Sequence, residues 1–200
     1  MKKILLASAL ILTISTSIST IHAEAQTKTY YKTKLASASG KKYDMTLRSS
    51  NAKKIIADDL LISPNVNVGD VLYNGTFNFY INGKKTALKT NEQYNKTGKN
   101  FYKIATKKGT PTFFATTETI ANNVTDVTLY YMYKGKPVKL KNGFFTTLKP
   151  KYVKKNVIKI ANYDNNNWLG YDIHYLKINL KTADYKIIKS KRIHGFEIDW

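Results

Sequence analysis

Cysteine is absent from this 200-residue chain, so neither disulfides nor thiol chemistry is available to it. A small exported domain without disulfides has to be stabilised by its hydrophobic core alone. The chain is long enough for such a core, since a domain of about 150 residues buries roughly 70% of its unfolded surface. We therefore expect one domain that needs neither a disulfide nor a metal to hold it together.

Acidic residues and arginine are scarce. The chain has 33 Lys+Arg against 13 Asp+Glu, a formal net charge of +20, and its two arginines are Arg48 and Arg192. Lysine is a hydrated point charge, whereas arginine supplies the planar fork used in bidentate recognition of bases and phosphates. This usage favours diffuse attraction to an anionic surface and disfavours sequence-specific nucleic-acid recognition. A genome rich in A and T codons is the competing explanation for so much lysine.

Histidine offers little material for catalysis. Beyond residue 25 the chain contains only His174 and His194. Asp172 lies two residues before His174 and Glu197 three after His194, and a carboxylate beside an imidazole can orient a general base. Neither pair belongs to a metal-binding or nucleophile motif such as HExxH or GxSxG. We predict no catalytic residue, no metal site and no cofactor; a small extracellular hydrolase using these pairs is an alternative.

The N-terminal residues have the parts of a bacterial secretory signal peptide in the required order. Lysines follow the initial methionine, an apolar run covers residues 4–14, and the small residues Ala23 and Ala25 suit a signal peptidase. The run is shorter than the about 20 residues of a membrane-spanning helix. We predict that residues 1–25 are a signal peptide, cleaved after Ala23 or Ala25. The remaining 26–200 would form a single β-rich domain that is secreted, extracellular or cell-wall associated, and not membrane-spanning.

Apolar and polar residues alternate through much of the chain, as in residues 77–81, 127–133 and 176–180. A period of two with aromatic and β-branched residues predicts half-buried antiparallel strands. Between such stretches, Asn82-Gly83 has the composition of a type I′ hairpin turn, in which both central residues have positive φ.

The hairpin signal is repeated along the chain. The segment FYINGKKTALKT aligns with YMYKGKPVKLKN, which places Gly83 on Gly135. Gly109 lies 26 residues from each of them, and Gly40 marks a similar turn near the start. The fold we predict is mostly β, an antiparallel hairpin meander forming a sandwich or a barrel, with a small propeller-like array as the alternative.

One short helix is predicted near residues 51–62. Ala52, Ile55, Ile56 and Leu60 lie on one face of a helix with this register. The same residues are also compatible with an irregular pair of strands.

A stretch without carboxylates, between Asp126 and Asp164, carries the candidate binding residues. Tyr133 and Tyr152 are interleaved with its lysines. Those lysines are Lys134, Lys136, Lys139, Lys141, Lys149, Lys151, Lys154, Lys155 and Lys159. On adjacent strands they would form one basic face that attracts polyanions by counterion release. The alternative is a solvated surface without a ligand.

Together these features predict a secreted, basic, non-enzymatic binding protein for an anionic envelope polymer, a glycan or an anionic lipid surface. Lysines would supply the attraction and aromatic rings the short-range contacts. The alternative is a protein-recognition module, such as an inhibitor, a toxin-like factor or an immune-interaction factor. Its partner would be a host or cell-surface protein, and exposed tyrosines would carry the binding energy.

Overall fold

The computed structural model describes residues 27–61, 66–121, 124–166 and 169–200, so the predicted signal peptide lies outside the described residues. Nearly all regular structure in those ranges is antiparallel β. The strands are β1 (Lys28–Ala36), β2 (Lys42–Ser49), β3 (Lys53–Ile56), β4 (Val71–Asn74), β5 (Phe77–Ile81), β6 (Lys84–Thr90), β7 (Tyr94–Asn95), β8 (Tyr102–Ile104), β9 (Phe113–Ala121), β10 (Val124–Tyr133), β11 (Lys136–Lys139), β12 (Phe144–Thr146), β13 (Leu148–Lys154), β14 (Val157–Asp164), β15 (Gly170–Asn179) and β16 (Asp184–His194).

Three meanders follow one another along the chain. The first sheet has the order β1-β2-β5-β6, the middle sheet β8-β9-β10-β11 with β12 also paired to β10, and the third sheet β13-β14-β15-β16. A small sheet, β3-β4-β7, is inserted beside the first. Each main sheet therefore has the same up-and-down path, as the repeated hairpin signal predicts.

The middle sheet is buried on both faces. Consecutive residues Phe113 and Phe114 are both 0% exposed, yet they belong to different hydrophobic clusters. Phe114 and Tyr130 pack against the first sheet, whereas Phe113 and Tyr131 pack against the third. Because side chains alternate across a strand, this division places the middle sheet between the other two. The predicted sandwich is thus confirmed, with three layers.

The predicted half-burial is confirmed for β5 and for residues 176–179 of β15 and is wrong for β10. In β5, Phe77 and Phe79 are buried while Asn78 and Tyr80 are partly exposed. In β10, residues Val127–Met132 are all buried. The residues that alternate with Val127, Leu129 and Tyr131 in β10 are Thr128, Tyr130 and Met132. A second apolar layer can cover a threonine, an aromatic ring and a thioether.

The hairpin turns have the backbone that their sequences predict. Asn82 and Gly83 have φ of 49° and 80°, and Lys134 and Gly135 have φ of 48° and 79°. Both pairs lie in the left-handed region that a type I′ turn requires. The alignment of these two segments is therefore confirmed as a repeated hairpin.

The helix predicted near residues 51–62 is wrong over its described part, which ends at residue 61. Lys53–Ile56 form β3, in which Ile55 pairs with Leu72, and Asp59–Leu61 form one 3-10 turn. Pairing with β4 supplies hydrogen bonds that favour the extended form of β-branched residues. Leu60, which a helix would bury, is 93% exposed.

Candidate functional site: the turn end

A meander reverses direction at every turn, so the first and third hairpin turns of a sheet lie at the same end of that sheet. Five such turns meet at one end of the molecule, at residues 37–41, 82–83, 105–112, 134–135 and 155–156, and we call this end the turn end. The third turn of the third sheet, 180–183, lies instead along the edge of the middle sheet, next to Lys141. The strands' other ends, with the small sheet, form the opposite end.

Backbone contacts join the first turns of the three sheets. The Gly109 amide donates to the Ala38 carbonyl across 3.1 Å, and the Thr112 amide donates to the Ala36 carbonyl across 2.8 Å. The turns of the middle and third sheets are joined through a side chain, since the Asn156 amide donates to the Thr110 hydroxyl across 3.0 Å. These three turns therefore stand side by side in layer order, and we call them the first turn row.

The third turns of the first and middle sheets form a second row of two, and the third turn of the third sheet lies away from them along the edge of the middle sheet. The Lys141 amide donates to the Ala183 carbonyl across 2.8 Å, joining the middle sheet's edge to the last turn of the third sheet. The Tyr131 hydroxyl reaches the Leu180 carbonyl across 3.1 Å. Between the turns of the first and middle sheets lies an open cleft of about 340 Å³. Its wall includes the Tyr43 ring.

Lysines crowd the turn end. Every one of the five turns carries at least one lysine within it or directly beside it, and all of these side chains are exposed. They are Lys41, Lys42, Lys84, Lys85, Lys107, Lys108, Lys134, Lys136, Lys154 and Lys155. Hairpin tips exposed to water suit such residues, because the ammonium groups stay hydrated while the strands pack.

Carboxylates are rare at this end. Among the acidic residues that the structure describes, Asp44 lies beside these turns, 3.9 Å from the Lys34 ammonium. No other lysine in the described ranges has an aspartate or glutamate side chain of those ranges within 4.0 Å. Asp184, at the start of β16, lies with Asp126 near Tyr185. Acidic residues at the opposite strand ends are Glu92, Glu118, Asp126, Asp164 and Asp172. The charge is thus segregated along the strand direction.

Two tyrosines support lysines at the turn end. The Lys41 ammonium lies 5.5 Å from the Tyr43 ring centroid, and that of Lys134 lies 5.7 Å from the Tyr133 ring centroid. A ring face attracts a cation through its quadrupole and leaves the charge available to a ligand. Tyr43 and Tyr133 therefore help to position turn-end lysines without neutralising them.

The nine lysines of the carboxylate-free stretch fall in three places. Four of them, Lys134, Lys136, Lys154 and Lys155, are at the turn end. Lys139 and Lys141 lie along the edge of the middle sheet, past the turn. The remaining lysines lie on β13 and β14 of the third sheet: Lys149, Lys151 and Lys159. Tyr133 ends β10, and Tyr152 packs half-buried against the second core cluster.

The third-sheet group surrounds Trp200. The Lys159 ammonium lies 4.4 Å from the Trp200 ring centroid, and the Trp200 indole donates to the Lys149 carbonyl across 2.8 Å. The Lys151 ammonium donates to the Trp200 backbone oxygen. These contacts tie the C-terminal segment across the outer face of the third sheet, on the face where Phe196 packs on Tyr163. This group is therefore covered in part by the chain itself.

Six turn-end lysines were missed by reasoning from the carboxylate-free stretch, but the sequence does contain a signal for them. Each belongs to a pair of consecutive lysines next to a turn glycine, as in GKK and KKG. They are Lys41, Lys42, Lys84, Lys85, Lys107 and Lys108. What the sequence does not show is that the turns share one end.

The residues considered for catalysis are engaged in other contacts. The Asp172 carboxylate accepts two hydrogen bonds from Arg192, at 3.0 and 3.2 Å, and these raise the pKa of the Arg192 guanidinium. The His174 Nδ1 lies 2.8 Å from the Ser190 hydroxyl. Asp172 thus orients an arginine on the neighbouring strand. Within the described ranges, no group of three or more His, Cys, Asp and Glu side chains could hold a metal ion.

A second concave site lies at the opposite end. It has a volume of about 370 Å³ and is lined mainly by amides, including Asn74, Gln93 and Asn100. Neighbouring polar groups hold these amides, since the Gln93 amide donates to Asn74 across 2.8 Å. Below it, hydrogen bonds from the Asn95 amide and then the Asn67 backbone lower the pKa of Asp70.

Comparison of the chain with known protein families, with curated proteins and with solved structures finds no match. In the part of the chain that the structure covers, no helix has the length and apolar character needed to cross a bilayer.

Proposed function

We propose that this protein is exported and binds an anionic polymer, glycan or lipid surface through the lysines of its turn end. The observation that carries the proposal is the segregation of charge, with ten exposed lysines and the carboxylate of Asp44 on or beside the turns of one end of the described strands. A codon bias would raise the number of lysines but would not select the turns of one end. Segregation therefore favours a binding face over a uniformly solvated surface.

Binding would proceed in two steps. Unneutralised lysines attract a polyanion from a distance and release its condensed counterions, so affinity falls as salt rises. Short-range contacts follow from Tyr133, whose half-buried ring lies beside Lys134, whereas Tyr43 is buried in the first core cluster and supports Lys41. Export is supported by the signal-peptide pattern of residues 1–25, which would place the turn end outside the cell.

A pair of charge-matched variants tests the proposal. The first replaces one lysine in or beside each of the five turns by glutamine: Lys41, Lys84, Lys107, Lys134 and Lys154. The control replaces five exposed lysines away from the turn end: Lys53, Lys54, Lys89, Lys96 and Lys191. Binding to long-chain heparin and to anionic vesicles is measured over a range of salt concentrations, and circular dichroism confirms that both variants fold.

We expect the turn-end variant to lose at least about tenfold in heparin affinity and to show a shallower salt dependence, because fewer counterions are released. The control, with the same net charge, should stay within about threefold of the original protein. Equal losses in the two variants would show that net charge alone matters. An affinity that does not fall as the salt concentration rises would contradict the electrostatic mechanism.

A further inference from the structure

We infer that the ligand of the turn end is a linear, flexible polyanion that runs across the three layers along the first turn row. The inference rests on the proposed function and narrows its ligand class. Each turn of this row has two consecutive exposed lysines, and we call the three pairs the lysine ladder. Its rungs are Lys41 with Lys42, Lys107 with Lys108, and Lys154 with Lys155.

The order and spacing of the rungs follow from the packing. The first and second turns are joined by the bond from Gly109 to Ala38, and the second and third by the bond from Asn156 to Thr110. Face-to-face sheets pack about 10 Å apart, so we expect neighbouring rungs to be separated by about 10 Å and the outer rungs by about 20 Å, with the turns themselves in contact. The ladder therefore runs perpendicular to the strands, across the layers.

The rungs are held by rigid turns. Gly40 and Gly109 have φ of 90° and 92°, and Asn156 has a φ of 56°. These left-handed residues fix each reversal of the chain, and the contacts between turns fix the turns relative to one another. Charges on such a frame lose little backbone freedom when a ligand binds.

The first row suits a continuous polymer better than the second. The second row has two turns, with Lys84 and Lys85 beside one and Lys134 and Lys136 beside the other, so it does not continue to the third layer. The acid nearest the first row, Asp44, is already beside Lys34. A negative chain along the first row therefore meets paired lysines at every layer.

Ligand length should decide affinity. A compact anion a few ångströms across reaches one rung, whereas a chain that spans about 20 Å reaches all three. Each further rung is engaged intramolecularly at high effective concentration, so affinity rises steeply until the third rung is filled. Beyond that length, extra chain adds only further registers for binding.

A length series of linear inorganic polyphosphate tests the ladder at one fixed salt concentration. The series includes chains that span less than 10 Å, about 10 Å, about 20 Å and about 40 Å in extended form. Inositol hexakisphosphate serves as a compact anion of high charge. The proteins are the original chain, the three rung variants K41Q/K42Q, K107Q/K108Q and K154Q/K155Q, and the second-row control K84Q/K85Q.

We expect affinity to rise steeply up to the chain of about 20 Å and then to level off, with the compact anion weaker than that chain. Each rung variant should lose about three- to tenfold against the longest chain, and K84Q/K85Q less. At the length that spans two rungs, K107Q/K108Q should lose most, because every two-rung mode uses the middle pair.

Failure of the ladder can be told from failure of the proposed function. Two outcomes would overturn the ladder but not the proposed function. One is salt-dependent binding in which polyphosphate affinity shows no length threshold, and the other is a loss of affinity in K84Q/K85Q equal to that in the rung variants. Absence of salt-dependent binding to polyphosphate, heparin and anionic vesicles alike would overturn both.

Discussion

The backbone amide of Gly109 donates a hydrogen bond to the carbonyl of Ala38, 3.1 Å away, and so joins a turn of the middle sheet to a turn of the first. The next residue, Thr110, accepts a bond from the Asn156 amide in the third sheet. Two consecutive residues therefore tie all three layers together at the end where the lysines are exposed. These contacts make the first turn row rigid.

Replacing Thr110 by alanine should loosen the third layer at the turn end. Thr110 is 2% exposed, and its loss leaves the Asn156 amide without its acceptor, which costs about 1–3 kcal/mol for a buried donor. We expect a lower free energy of unfolding in urea and faster hydrogen exchange at the Asn156 amide. T110S keeps the hydroxyl and should retain most of the protection. Unchanged exchange in T110A would show that the layers are held without this bond.

The burial of the middle sheet on both faces gives a paired prediction. Phe113 and Phe114 face opposite layers and are both fully buried, so F113A and F114A should each cost about 3–5 kcal/mol. Phe145 is 54% exposed, and F145A should cost less than about 1 kcal/mol. Urea unfolding measures all three. Where alanine prevents folding, F113L and F114L give the same comparison with smaller losses.

A small effect at either Phe113 or Phe114 would contradict the three-layer arrangement. In a two-layer sandwich, one of two consecutive strand residues faces water, and its replacement is nearly neutral.

Alkaline pH should destabilise the fold through two buried tyrosines. Burial raises the pKa of Tyr130 and of Tyr131 to about 12, above the ordinary value of 10.0. The neutral phenols therefore favour folding fully below about pH 10, and this stabilisation is lost as pH rises through about 12. Tyrosinate absorbance should show a delayed group of phenols that ionises together with unfolding. Complete ionisation of all tyrosines near pH 10 with the fold intact would contradict this burial.

The C-terminal contact of Trp200 should stabilise the third sheet. W200A removes the indole bond to the Lys149 carbonyl and the ring under Lys159, which together are worth about 1–2 kcal/mol. W200F keeps a ring but not the N–H donor, so its free energy of unfolding should lie between those of W200A and the original protein. Since the lysines that Trp200 contacts, Lys149, Lys151 and Lys159, are not part of the ladder, polyphosphate affinity should change less than twofold. A larger change would place part of the ligand site on the third sheet.

Local patterns were sufficient wherever a feature depends on neighbouring residues. The Asn82-Gly83 turn is an example, because glycine and asparagine adopt positive φ at low cost in any context. Alternation likewise identified β5 and β15. The segment 53–56 is the counterexample: its spacing suits a helix, but pairing with β4 supplies the backbone bonds and the extended form prevails. A partner distant in sequence decided that element.

The sequence by itself determined the class of this protein: antiparallel strands, their hairpin turns, an excess of lysine and the signal-peptide pattern, all of which are carried by short-range residue chemistry. Only the tertiary structure decided that the meanders stack in three layers and that their turns meet at one end. Lys41, Lys107 and Lys154 are far apart along the chain and become neighbours because Ala38, Gly109, Thr110 and Asn156 are hydrogen-bonded across the layers. Sheet packing sets that juxtaposition, and no local pattern encodes it.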